Sequence, residues 1–116
     1  MDIRTKRVYE PVAAADGYRA LVERLWPRGV RKADLKFDSW LKDVGPSTEL
    51  RKWFNHDPER WMEFQKRYRA ELRQNKDAVG ELKAHAKGRT VTLVYAAHDE
   101  EHNSALVLKR VLERRR

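Results

Sequence analysis

Thr90-Val91-Thr92-Leu93-Val94-Tyr95-Ala96-Ala97 is the stretch whose reading decides the fold. Its residues are nearly all apolar, as a strand covered on both faces requires. Upstream, Ala78, Val79, Leu82 and Ala86 predict a helix over residues 77–86, closed by Gly88. Downstream, Asp99 is expected to cap a final helix with Ala105, Leu108, Val111 and Leu112 facing inward.

Further from that strand, His56-Asp57-Pro58-Glu59 is a helix start, with Asp as cap and Pro at the first helical position. The helix runs to about Gln74, with Trp61, Phe64 or Gln65, Tyr68 and Leu72 on one face. Ser47 is a cap for a shorter helix through Leu50, Trp53 and Phe54. Phe37, Trp40, Leu41 and Val44 recur at helical spacing and predict another short helix, closed by Gly45-Pro46. Two strands open the chain. Residues 3–10 alternate weakly up to Pro11, which suits an edge strand. Residues 18–25 follow the turn signal Asp16-Gly17, centre on Ala20-Leu21-Val22, and end at Trp26-Pro27-Arg28-Gly29. The order strand, strand, helices, strand, helix gives an α/β fold: a small, mainly parallel sheet flanked by helices. A chain of 116 residues is then a single compact domain over residues 1–116.

Composition narrows the chemistry. With no Cys, disulfide scaffolds, thiolate zinc sites and cysteine nucleophiles are excluded. No stretch approaches the ~18 apolar residues of a membrane span, and Asp2, Arg4, Lys6, Arg7 and Glu10 stand where a signal peptide would be apolar. The expected setting is cytoplasmic, without a membrane partner. Ser39, Ser47 and Ser104 lack the glycine elbow of a serine hydrolase, and no glycine-rich phosphate loop is present.

The net charge of +8 is localised. Residues 19–36 hold Arg19, Arg24, Arg28, Arg31, Lys32 and Lys36 against Glu23 and Asp34, a net +4. Residues 109–116 hold five cations against Glu113, again +4, while residues 1–18 and 37–108 each balance to zero. A terminal Arg114-Arg115-Arg116 suits a solvated helix end facing the macrodipole. The internal segment brackets a rigid loop.

Ligands of open α/β sheets bind beyond the carboxyl ends of the strands. Two polar clusters are expected at such ends, and a third at a helix start. After the second strand come Arg24, Trp26, Arg28 and Gly29, suited to a phosphate or carboxylate because guanidinium donates paired hydrogen bonds and glycine lets the backbone approach. Pairing of those arginines with nearby carboxylates is the competing structural role, and Trp26 before Pro27 equally suits a core position. After the last strand come His98, Asp99, His102 and Asn103; Asn55, His56 and Asp57 form the third cluster, at a helix start that favours anions. His98 and His102 superficially match a two-histidine metal motif, but a cap at Asp99 would leave His98 off the helix, so no metal site is assigned. His85 reads as a surface residue.

Lys6-Arg7-Val8-Tyr9-Glu10-Pro11, Asp16-Gly17-Tyr18-Arg19, Arg24-Leu25-Trp26-Pro27-Arg28-Gly29, Leu50-Arg51-Lys52-Trp53-Phe54, His56-Asp57-Pro58 and Asp99-Glu100-Glu101-His102-Asn103 together resemble the YeaO-like family (DUF488), a bacterial domain of unknown function. The resemblance spans nearly the whole chain in order. It implies one small α/β domain in a cytosolic setting, implies no reaction, and does not fix a histidine at His98.

The residues therefore predict a site for an anionic, phosphate- or nucleotide-like small molecule at the carboxyl edge of the sheet. His56, Asp99 and His102 are the candidates for acid–base catalysis, and Arg24, Trp26, Arg28, Gly29, Asp57 and Asn103 for ligand contact. The alternative is a nucleic-acid-binding module using the basic 19–36 segment and the arginine-rich tail, with binding that falls steeply with salt. No cofactor or oligomeric state is implied.

Overall fold

Parallel pairing organises the whole molecule. A computed structural model describes residues 2–114. Its strands are β1 (Asp2–Arg7), β2 (Tyr18–Leu21), β3 (Ser39–Trp40) and β4 (Thr90–Tyr95), in the order β1-β4-β2-β3. Every pair is parallel, with Ile3 opposite Val91, Ala20 opposite Leu93, and Leu21 opposite Trp40. β4 lies between β1 and β2, which explains its apolar run, and β1 is the expected edge strand.

The side chains of β4 alternate between two cores. Val91, Leu93 and Tyr95 join Ile3, Ala20 and Val22 beneath the helices. Those helices are α1 (Thr48–Phe54), α2 (Trp61–Gln74), α3 (Lys76–Ala86) and α4 (Ser104–Glu113). Val94, on the other face, packs with Val8, Leu21 and Leu35, and Trp26, Phe37 and Trp40 close over them. So the sheet is flanked by helices on one face and by the connecting segments after β1 and β2 on the other.

Three boundaries differ from the sequence reading. The helix predicted over residues 37–44 is instead β3 followed by a 3-10 turn, Lys42–Val44. Asp38 and Leu41 donate backbone hydrogen bonds to the carbonyls of Arg19 and Leu21 at 2.7 and 2.9 Å, extending the sheet. Phe37 and Trp40 serve the loop-side core while Val44 serves the helix-side core, which produces an apolar spacing of three to four without a helix. The second strand stops at Leu21 rather than Leu25, although Val22 still donates to the Val94 carbonyl at 3.1 Å.

The last helix is capped by Asn103, not Asp99. Asn103 is 2% exposed, its side chain accepts from the Leu106 amide at 3.0 Å, and its Nδ2 donates to the Asp99 carbonyl at 3.0 Å. Asp99 caps a preceding turn, accepting from the amides of Glu101 and His102. Two short polar side chains compete for the same role in this segment, and the one nearer the apolar helix face wins it. Elsewhere the caps stand where expected: Ser47 accepts from Leu50, and Asp57 from Glu59 in the Pro58–Arg60 turn that leads into α2.

The β1–β2 connection is locked by a buried ion cluster. Asp16 is 6% exposed and meets the Arg19 guanidinium at 2.6 Å and the Lys6 ammonium at 3.0 Å. Burial would push its carboxyl up, but the Ala13 amide and the two cations outweigh that and hold it below the usual carboxylate range. The Asp16 carbonyl accepts from Thr92 Oγ1 at 2.7 Å, fixing the connection over β4.

Candidate functional site at the carboxyl edge

Because all four strands run the same way, their carboxyl ends lie together. At the end of β2, Glu23 turns its carboxylate toward β4, where it accepts the Ala96 amide at 2.9 Å. This bond takes up the donor that would otherwise continue the ladder, and β4 ends at Tyr95. Burial pushes the Glu23 carboxyl above its ordinary value; the Ala96 amide and the charges of Arg51 and His56 only partly offset this.

His56 follows the C-terminus of α1. Asn55 and His56 both hold left-handed backbone, with φ of 48° and 54°. Two successive non-glycine residues in that region carry strain, which structures tolerate where a side chain must be presented in one direction. Here the result is an exposed His56 whose ring lies 6.4 Å from that of Phe54.

The segment after β4 completes the edge. His102 Nδ1 lies 2.9 Å from Asp99 Oδ2. Hydrogen bonds from the Glu101 amide and the His102 side chain hold the Asp99 carboxyl below its usual value. The His102 ring meets Trp61 edge-on at 5.3 Å, Trp61 meets Phe54 at 6.0 Å, and Phe54 meets His56 at 6.4 Å. Asp99 and His102 are thus in direct contact, whereas His56 is connected to them only through the intervening rings of Trp61 and Phe54. Asp57 is beside His56 in sequence but caps the Pro58 turn and pairs with Arg60 at 3.6 Å. Asn103 is occupied as the cap of α4.

The cluster after β2 points elsewhere. Arg24 donates from Nε and Nη2 to the carbonyls of Pro46 and Gly45, at 3.0 and 2.8 Å. Trp26 is packed in the loop-side core, and its Nε1 donates to the Val30 carbonyl at 2.6 Å. Arg28 is exposed and its carbonyl accepts from Tyr9 Oη at 3.0 Å; Gly29 beside it has φ 78°. His98 contacts Arg7, 3.4 Å from its Nη2. No group of three or more His, Asp or Glu able to hold a metal ion occurs among the described residues.

Glu23 and Arg51 were not among the expected site residues, although Arg51 lies in the Leu50–Phe54 stretch of the family resemblance. The one available signal was the acid directly after the buried run Ala20-Leu21-Val22, at the strand end where α/β ligands bind.

A family profile described as "Inactive DUF488-N3 subclade" matches residues 2–116. The chain belongs to the DUF488 family. It is 47% identical over 108 residues to the uncharacterized protein YeaO of Escherichia coli, covering 93% of this chain and 94% of that one. It is 43% identical over 113 residues to uncharacterized proteins of Mycobacterium bovis and Mycobacterium tuberculosis, covering 97% of this chain and 95% of each of theirs. No solved structure matches. The function of these DUF488 relatives is uncharacterised, which agrees with the resemblance read from the sequence. No helix among the described residues is long and apolar enough to cross a membrane.

Proposed function

We propose that this DUF488 chain binds a small anionic molecule, phosphate-bearing or nucleotide-like, at the carboxyl edge of its sheet, and does so without turnover. Arg51, His56 and His102 contact the anion, Asp99 orients His102, and Glu23 forms a proton-linked floor. The observation that carries the reading is the half-buried carboxylate of Glu23, held at a parallel strand end by the Ala96 amide at 2.9 Å. With its carboxylate engaged by that amide, Glu23 forms no ion pair with Arg51 among the described residues, which leaves the Arg51 guanidinium available to an incoming anion. The word "inactive" in the family description favours binding over acid–base catalysis by His56, Asp99 and His102. Arg24 and Trp26 serve as scaffold, since their polar groups are engaged with backbone carbonyls.

A residue-resolved NMR titration with inorganic phosphate and adenosine monophosphate tests this. Saturable shifts at the amides of Ala96, His56 and His102, absent in Arg51→Ala, are expected. Saturation without movement at those amides would sink the proposal, as would an unchanged response of the variant.

The nucleic-acid reading has narrower support. Of the six cations in residues 19–36, Arg19 is buried against Asp16, Arg24 is bound to carbonyls and Arg31 pairs with Asp34 at 2.8 Å. Arg28, Lys32 and Lys36 remain exposed for phosphate contact. Of the tail, Arg115 and Arg116 lie outside the described residues.

A further inference from the structure

A second basic feature is built into the helical layer. A cavity of about 290 Å³ opens between the last turns of α2, the body of α3 and the end of α4. Arg69, Arg73, Lys76, Lys83 and Arg114 line it, with no acidic residue among the lining. None of these five cations has a side-chain ion pair or hydrogen bond among the described residues, whereas eight ion pairs occur elsewhere. The floor is apolar: Leu72, Val79 and Val111.

Helix-dipole complementarity accounts for part of this charge. Arg73 and Arg114 sit at the C-terminal ends of α2 and α4, where cations are favoured. It also accounts for Lys83, in the last turn of α3, but not for Lys76, the first residue of α3, where a cation is disfavoured, nor for Arg69 in the body of α2. Gly80 adds an independent oddity. It lies in the interior of α3 and lines the cavity, yet a Cβ there would meet nothing within 4 Å. Neither packing nor turn geometry asks for glycine, and helix propensity disfavours it. An unfilled space at that position does have a use: it lets a ligand approach the α3 backbone.

We infer that this cavity is a second anion site, taking a small organic di- or triphosphate whose charges lie on the five cations and whose apolar body rests on the Leu72–Val79–Val111 floor. The volume is at the lower end of the ~300–1,000 Å³ of small-molecule sites. No aromatic side chain lines it, so it lacks the stacking platform of a single-stranded nucleic-acid groove. It lies about two to three helical turns along α2 from Trp61 and is independent of the carboxyl-edge site.

The test combines thermal unfolding with titration calorimetry, using tripolyphosphate, adenosine diphosphate and a single-stranded oligonucleotide. In the Arg51→Ala background, where the carboxyl-edge contact is removed, adenosine diphosphate is expected to bind at one equivalent, more tightly than tripolyphosphate despite carrying less charge. Gly80→Ala should raise the Tm of the free protein by about 3–6 °C while weakening that binding about tenfold. The double variant Lys76→Gln, Lys83→Gln should abolish the response, and Lys76→Gln alone, which removes a cation from the first turn of α3, should raise the free Tm at low salt. With Arg51 intact a second equivalent is expected at the carboxyl edge, and the Gly80→Ala and lysine variants should leave that equivalent unchanged. Equal binding of the two phosphates overturns the assignment, as does unaltered affinity in Gly80→Ala. Tighter oligonucleotide binding lost in the lysine variant overturns it in favour of a polynucleotide surface.

Discussion

The carboxylate of Glu23 holds the backbone amide of Ala96 at 2.9 Å and so ties the carboxyl end of β2 to that of β4. One side chain thus ends a ladder and forms the floor of the candidate site. The bond also makes the site's electrostatics a matter of fold stability.

Glu23→Ala should cost about 1–2 kcal/mol by leaving the Ala96 amide without its acceptor. Glu23→Gln keeps an acceptor oxygen and removes the charge, so it separates the two effects. The folded-state pKa of Glu23 is raised above the ordinary 4.5. Its contribution to stability is therefore fully present below that value and is lost as pH rises through the folded pKa. Denaturant unfolding at several pH values is expected to show Glu23→Gln above wild type at neutral pH, with the gap closing below about pH 4.5. A gap independent of pH would refute the assignment.

The opposite sign holds for Asp16. Its carboxyl is held below the ordinary value, so the stability it supplies is present above about 3.8 and is lost as pH falls through the depressed value. Asp16→Ala strands Arg19, which is 4% exposed, and should cost about 3–5 kcal/mol in urea unfolding. The double variant Asp16→Ala, Arg19→Met should recover much of that loss, because the uncompensated buried charge is gone.

These two acids show what the sequence made legible. Thr90 to Tyr95 was readable because burial on both faces removes the polar alternation that would confuse strand with loop, while the expected extension to Ala97 is cut short where Glu23 takes the Ala96 amide. Ser47 and Asp57 were readable because a cap is a local hydrogen bond set by neighbours in the chain. Residues 37–44 were misread because a strand feeding two cores imitates helical spacing. Asp99 and His102 could be placed after the last strand from the strand order alone, whereas the direction of Arg24 could not, since its acceptors at Gly45 and Pro46 are some twenty residues away. The basic cavity was invisible for a different reason. Residues 37–108 carry equal numbers of acids and bases, and only the packing of α2 and α3 against the end of α4 segregates the bases into one depression.

Trp26 offers a test of scaffold against ligand wall. Its ring meets Phe37 at 5.9 Å and Trp40 at 5.3 Å, both edge-on, over Leu21 and Val94. Trp26→Ala should cost about 3–5 kcal/mol, the range for large aromatic truncations in a core. Trp26→Phe should recover most of that, losing the hydrogen bond to the Val30 carbonyl. If phosphate affinity at the carboxyl edge follows stability across this pair, Trp26 is scaffold. A loss of affinity in Trp26→Phe with native stability would make it a contact residue instead.

Gly17 sets the entry to β2 with no tolerance for a side chain. Its φ is 65°, and a Cβ would stand 2.3 Å from the Thr90 carbonyl oxygen, which is backbone and cannot swing aside. The positive φ alone costs about 1–3 kcal/mol for a non-glycine residue, and the contact adds to it. Because β2 begins at the next residue and pairs Tyr18 with Val91, relief would require β2 to slide or lift from β4. Gly17→Ala should therefore lower Tm by roughly 4–15 °C and increase hydrogen exchange at the amides of β2. The contrast is Gly80→Ala, in open space on α3, which should move Tm the other way. A destabilised Gly80→Ala alongside an unaffected Gly17→Ala would invert the packing described for both glycines.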